Sequence, residues 1–314
     1  MLWIIPAEEF IFTPGDPRPL RDKVEVEGGR PGAAGDVYYV DILVRRTSRL
    51  EDLLPFLRPD GSSVVPEQTL LPPGVTEEER DRQTAAQMQR SELVASAVAL
   101  RELGYDVQVR PKGAVVIDVA SDVPAFTKLE QGDVVVAVDG EAIRTPDDLR
   151  REIGRRKPGQ DVDLTIRRGG VTTQVVVATV PNPLEPERPI VGINVDQEAD
   201  IELPLDVDID LGRVGGPSAG LPFALEIARM LGRNVTHGCD VAATGELALD
   251  GTVLSVGGLK QKTIAARNKG VDVFVVPTGR NAEEARTYAD EVDIVAVDSF
   301  QQALRLLTTT PRKC

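Results

Sequence analysis

The run Gly215-Gly-Pro-Ser-Ala-Gly220 opens directly into an apolar stretch: Leu221, Phe223, Ala224, Leu225, Ile227, Ala228 and Leu231. Glycines let a backbone turn sharply and approach a substrate closely, and Pro217 restricts one dihedral just before Ser218. A serine at a helix start sits among unpaired N–H groups that stabilise negative charge. Such a place suits the oxyanion formed when Ser218 attacks a carbonyl. By itself this motif fits a capping serine after a glycine turn better than a nucleophile. A serine nucleophile also needs a base, and the chain holds a single histidine, His237. His237 reads as a turn residue ahead of a strand at 240–244, which leaves a Ser-His-Asp triad or a multi-histidine metal centre little to rest on. The alternative base is a lysine kept neutral by burial. Val256-Gly-Gly-Leu-Lys-Gln-Lys-Thr-Ile-Ala-Ala266 offers one, with a glycine pair opening a helix and Lys262 running into apolar neighbours. The positive end of that helix would lower its pKa further. Lys260, two residues earlier, points elsewhere on a helix.

Four motifs occur together: Gly216-Pro-Ser-Ala-Gly220, Ala243-Thr-Gly-Glu246, Asp250-Gly-Thr-Val253 and Gly257-Gly-Leu-Lys-Gln-Lys262. Their order and spacing resemble the proteolytic domain of Lon proteases over roughly residues 190–310. The resemblance implies Ser218 as nucleophile, Lys262 as catalytic lysine and Thr244 as the threonine that holds it, with Gly216 and Pro217 in support. One departure is Gly215, where Lon proteases often carry an acidic residue. A second set resembles PDZ domains of the bacterial type: Gly113-Ala-Val-Val-Ile-Asp-Val119, Pro124-Ala125, Leu129-Glu-Gln-Gly-Asp133 and Val138-Asp-Gly140. It implies peptide binding along Gly113, Ala114, Val115 and Val116, where a strand edge would accept an extended segment. A PDZ fold used only for packing is the plainer alternative.

The pair resembles the bacterial PDZ–Lon-like protease family. Membership implies an extracytoplasmic protein held in its full-length form by a membrane anchor upstream of Met1. It also implies a tendency to form rings, and so a homo-oligomer. The start, Met1-Leu-Trp-Ile-Ile5, is too short for a membrane span and lacks the basic flank and cleavage site of a signal peptide.

Composition narrows the classes. With 36 basic and 50 acidic residues the formal charge is −14, which disfavours nucleic acid as a partner. Aromatic residues make up only 4%, too few for a base-stacking platform. No G-x-x-x-x-G-K-[ST] run occurs, and the glycine-rich Gly212–Gly220 lacks the lysine a phosphate loop needs, so no nucleotide is expected. No cofactor and no metal are implied. Asp206, Asp208 and Asp210 alternate with Val207, Ile209 and Leu211 and read as a solvated strand edge rather than a cation site. Cys239 and Cys314, 75 residues apart, suggest no disulfide framework and no zinc site.

These residues require a multidomain α+β chain, with a PDZ-like β-rich module followed by a Lon-type α/β proteolytic domain. Residues 1–104 form an N-terminal region: a strand over Val37–Val44, a loop with Pro55, Pro59, Pro66, Pro72 and Pro73, and a helix over 77–103. Thr76 caps that helix, and only its second half, Leu93 to Leu100, is apolar enough to dock. Residues 105–181 hold the PDZ-like module: strands at 106–109, 114–119, 134–138, 162–166 and 173–179, and a helix capped by Thr145. Residues 182–189, inside the proline-rich Pro181–Pro189, read as a stiff linker. Residues 190–314 alternate strand and helix as a layered domain. The expected function is an ATP-independent Ser–Lys endopeptidase acting on unfolded or flexible proteins, with the PDZ module recruiting peptide segments. The alternatives are a non-catalytic PDZ/Lon-like interaction or scaffold protein and a serine amidohydrolase or transferase acting on a small acyl substrate.

Overall fold

The computed structural model describes residues 6–32, 34–71, 76–183, 185–212, 214–310 and 314. The apolar start Met1–Ile5, the prolines Pro72 and Pro73, Leu184 of the proline-rich run and Arg213 of the glycine-rich run lie outside the described residues. In chain order the elements that matter are β1 (Pro6–Pro14), β2 (Val24–Val26), β3 (Val37–Tyr39), β4 (Ile42–Ser48), β5 (Ser63–Pro66) and α1 (Glu77–Glu102). Next come β6 (Gln108–Val119), β7 (Val134–Val138), α2 (Pro146–Ile153), β8 (Asp161–Arg168), β9 (Val171–Ala178) and β10 (Ile193–Glu202). The chain finishes with β11 (Val207–Ile209), α3 (Gly220–Met230), β12 (Val241–Ala243), α4 (Leu259–Lys269), β13 (Val273–Pro277), α5 (Arg280–Tyr288), β14 (Asp293–Val297) and α6 (Phe300–Thr309).

Two compact units result, and their boundaries differ from those expected. The residues up to Asp106 fold with Leu203–Cys314, while Val107–Glu202 form the second unit. The smaller unit is therefore inserted into the larger one, and residues before 105 are not a separate region. The larger unit is built on parallel strands β3, β12, β13 and β14, with the short strand Arg18–Pro19 antiparallel at the β3 edge. Buried Tyr38, Ala242, Phe274 and Val276 make its core. The expected strand over Val37–Val44 breaks at Val40-Asp41: β3 joins the parallel sheet, whereas β4 pairs with β1 in a three-stranded antiparallel sheet. A uniformly β-prone run carries no mark of which sheet each half joins, because strand pairing is non-local.

Local signals are followed closely. Thr76 and Glu79 form a reciprocal capping box at the start of α1, and Thr145 does the same with Asp148 at α2. α1 buries only Met88, Ser91 and residues from Val94 to Leu100, its second half, and packs along α3.

The smaller unit is a sheet in the order β9-β8-β7-β6-β10, with Val116, Val135, Leu164 and Ile166 packed with Leu149 and Ile153 of α2. Its Leu129–Asp133 turn is held by Asp133, which is fully buried. Asp133 accepts the Glu130 N–H at 2.9 Å and both ends of the Arg168 guanidinium at 2.6 Å, a bidentate charge-assisted pair. Residues 182–189 are not a linker. Val180–Pro181 and Pro189–Ile190 pair as a short antiparallel ladder closed by the Asn182 N–H to Arg188 carbonyl bond. β10 then adds to β6 over ten residues, so the smaller unit runs past residue 190. Proline stiffness marks a turn as readily as a linker.

The two cysteines correct a further expectation. Cys239 and Cys314 are disulfide-bonded, with Cα atoms 5.4 Å apart. Spacing of 75 residues says nothing about proximity; the fold places Cys239, just before β12, against the end of the chain.

Candidate active site

Ser218 lies in a single 3₁₀ turn, Pro217–Ala219, with α3 starting at Gly220. The expected helix from Ser218 thus begins two residues later, after a tighter turn. Gly216 enters that turn at φ +91°, in the left-handed region that favours glycine. Ser218 is partly exposed. Lys262 sits in the first turns of α4, whose N-cap Gly258 has φ +74° and would press a Cβ to 3.1 Å from Ile42 Cγ2. Lys262 is 3% exposed. Lys260 departs on another face, its Nζ donating to the Ser62 carbonyl at 3.1 Å. Thr244, fully buried, follows β12 at the carboxyl end of the parallel sheet.

The fold brings all three together. Lys262 Nζ is 2.9 Å from Ser218 Oγ and donates to Thr244 Oγ1 at 3.0 Å. Thr244 Oγ1 in turn donates to the Ser218 carbonyl at 3.3 Å, and that carbonyl also accepts the Gly245 N–H at 2.9 Å. Burial lowers the Lys262 pKa to about 8, opposed by the charge of Asp41, which raises it. With that pKa only a minor fraction of the amine, about a tenth at pH 7, is neutral and ready to accept a hydroxyl proton.

Asp41 was not legible as part of this site. It sits where the chain leaves β3 for β4, and one of its carboxylate oxygens is buried without a hydrogen-bond partner among the described residues. Asp41→Asn removes the charge that holds the Lys262 pKa up. The acid limb of the rate profile should therefore move to lower pH; an unmoved limb would separate Asp41 from the lysine.

Comparisons with known proteins match two stretches of the chain. The pattern of the Lon protease (S16) C-terminal proteolytic domain matches residues 201–309, and that of the PDZ domain matches residues 102–179. The chain carries a PDZ domain and a Lon proteolytic domain. The Lon match includes Ser218, Thr244 and Lys262. Among curated relatives, the Lon protease of Mesomycoplasma hyopneumoniae (strain 232) is 33% identical over 117 residues, covering 35% of this chain. The Lon protease of Desulforamulus reducens is 41% identical over 88 residues, covering 27% of this chain. The chain spans only 13% and 11% of the length of those two relatives. A solved PDZ domain of an SdrC-like protein from Listeria monocytogenes is 26% identical, covers 27% of this chain and 87% of its own, and has a TM-score of 0.25.

Within the PDZ domain the expected peptide-binding residues are placed differently. Gly113, Ala114, Val115 and Val116 lie on β6, an interior strand. Ala114 and Val115 face β7 on one side, and Gly113 to Val116 face Glu198 to Val195 of β10 on the other. Their edge is occupied, so an added strand cannot pair there. The edge strands of the sheet are β9 and β10. β10 follows a bend at Gly192, where φ is +79°, and α2 packs near it. The sequence placed 191–195 in the following domain, which hid this edge.

Beside the Lon proteolytic domain, among the described residues, no helix is long and apolar enough to cross a membrane.

Proposed function

We propose that this chain is an ATP-independent serine endopeptidase in which Ser218 and Lys262 are the catalytic pair. The observation that carries the reading is the buried Lys262 amine 2.9 Å from the Ser218 hydroxyl oxygen, with a pKa lowered to about 8. Ser218 Oγ attacks a peptide carbonyl carbon while its proton passes to neutral Lys262 Nζ. The Ser218 N–H at the start of the turn faces the developing oxyanion. As the C–N bond breaks, the Lys262 ammonium returns that proton to the leaving amine and an ester to Ser218 remains. Water then attacks the ester carbonyl and gives a proton to Lys262 Nζ, and the carboxyl product leaves with the serine hydroxyl restored. Thr244 keeps the amine directed at Ser218 through its 3.0 Å bond.

Unfolded or flexible segments are the proposed substrates, recruited by the PDZ domain through strand addition on β10, the edge left open beside β6. We place the protein outside the cytoplasm. The Cys239–Cys314 bridge supports that placement, because disulfides persist mainly in oxidising compartments.

The test is cleavage of unfolded casein, with and without ATP, by the wild-type chain, Ser218→Ala and Lys262→Ala. Loss in both variants and indifference to ATP are expected. Equal cleavage by all three, or none by the wild type, would leave a PDZ-bearing scaffold as the better account.

A further inference from the structure

α1 has the residue pattern of a packing helix, yet it ties down the turn that carries Ser218. The Thr84 carbonyl accepts the Gly216 N–H at 2.9 Å, and the Ser91 hydroxyl donates to the Pro217 carbonyl at 3.0 Å. Thr84 and Ser91 are seven residues apart, two turns along one face of the helix. The approach is close: a Cβ at Gly215 would meet Thr84 Oγ1 at 2.9 Å, and one at Gly220 would meet Ser91 Oγ at 3.0 Å. This also accounts for glycine rather than an acidic residue at 215, since α1 fills the space.

Ser91 spends its proton outside its own helix. A helical serine ordinarily satisfies itself on the carbonyl four residues back, as Ser96 does with the Glu92 carbonyl at 2.8 Å. Ser91, 5% exposed, reaches the nucleophile turn instead.

The carbonyl it holds belongs to the same peptide unit as the Ser218 N–H. There are no cis peptide bonds among the described residues, so the two groups of that planar unit point in opposite directions. The Pro217 carbonyl also accepts the Gly220 N–H within the turn, but among the described residues only Ser91 ties it to a separate element. On the far side of Ser218, its own carbonyl is held by the Gly245 N–H and the Thr244 hydroxyl. Both peptide planes that flank the nucleophile are thus fixed from outside the turn.

We propose that Ser91 is a positioning residue: by anchoring the Pro217 carbonyl to α1 it aims the Ser218 N–H at the developing oxyanion. This rests on the Ser218–Lys262 reading of the site. Removing an oxyanion donor outright costs about 10²–10³ in kcat; loosening its aim costs less, about 10–100-fold on the same scale. Ser91→Ala should fold, because alanine favours the helix and the Pro217 carbonyl keeps the Gly220 N–H.

The experiment compares wild type, Ser91→Ala and Ser218→Ala in casein cleavage, and the first two in binding a peptide boronate built on a cleaved casein sequence. The boronate forms a tetrahedral adduct on the serine and so reports the oxyanion site. In Ser91→Ala, kcat and boronate affinity should fall by similar factors while KM and Tm stay close to wild type. Unchanged kcat and boronate affinity would overturn the proposal. So would a fall in kcat with boronate affinity intact, or one matched by a lower Tm and fewer titratable serines, since each marks a merely structural role. Cleavage that persists in Ser218→Ala would instead remove the Ser–Lys reading, and this proposal with it.

Discussion

Lys262→Met should abolish cleavage and raise the melting temperature of the Lon proteolytic domain in the same variant. Loss of one member of a nucleophile–base pair costs at least about 10³-fold in kcat. The gain in stability comes from the same burial that makes the lysine a base. In the folded chain its pKa is lowered from 10.5 to about 8, while in the unfolded chain it titrates at the ordinary value. Below pH 8 both states are protonated and the fold carries a buried charge at full cost. Between about 8 and 10.5 the unfolded chain holds a proton that the folded chain has released, so stability rises with pH through that window. Methionine matches the lysine stem without the charge. It should gain about 1–3 kcal/mol at pH 7, a few degrees in Tm for a domain of this size, and flatten the slope between pH 8 and 10.5. Lost hydrogen bonds offset little, because Thr244 keeps the Ser218 carbonyl as an acceptor. Ser218→Ala should be equally inactive without that gain. Thermal melts from pH 7 to 10.5 on both variants check this. A Lys262→Met chain less stable than wild type at pH 7 would mean that burial does not penalise the charged amine, and would weaken the lysine's role as base.

The second large effect concerns the Cys239–Cys314 bridge, which closes a loop 75 residues apart in sequence. That loop contains Thr244, Lys262 and the strands β12, β13 and β14. A closed loop of that length restricts the unfolded chain by up to about 4.5 kcal/mol, with typical bridges nearer about 2–4 kcal/mol. The double variant Cys239→Ala, Cys314→Ser, or the wild type under reductant, should therefore melt well below the oxidised protein. Cys239 is buried, which is why alanine is the better replacement there. Cleavage at 25 °C by the molecules that remain folded should change little, because neither sulfur touches the Ser218–Lys262 pair. Equal Tm with and without reductant would show that the bridge does not constrain the domain, and would remove its support for an oxidising compartment.

Several parts of this protein are written locally in its sequence. Thr76 with Glu79, and Thr145 with Asp148, start their helices through contacts three residues apart. The half-docked character of α1 follows from apolar spacing that begins only in its second half. Ser218, Thr244 and Lys262 could be named because their motifs keep a fixed order, each with its own glycines shaping the turn beside it. What the sequence could not determine is which distant segments meet. Residues 37–44 look uniformly β-prone, yet Val40-Asp41 divides them between two sheets and lets the Asp41 charge act on Lys262. Residues 193–202 carry no local sign of a partner, and only pairing with β6 assigns them to the PDZ domain and closes the edge at Gly113–Val116. The disulfide and the Ser91–Pro217 bond join residues 75 and 126 positions apart. Caps and turns are decided within a few residues, whereas strand partners and cross-element hydrogen bonds depend on packing of the whole chain. Only the tertiary structure decides them.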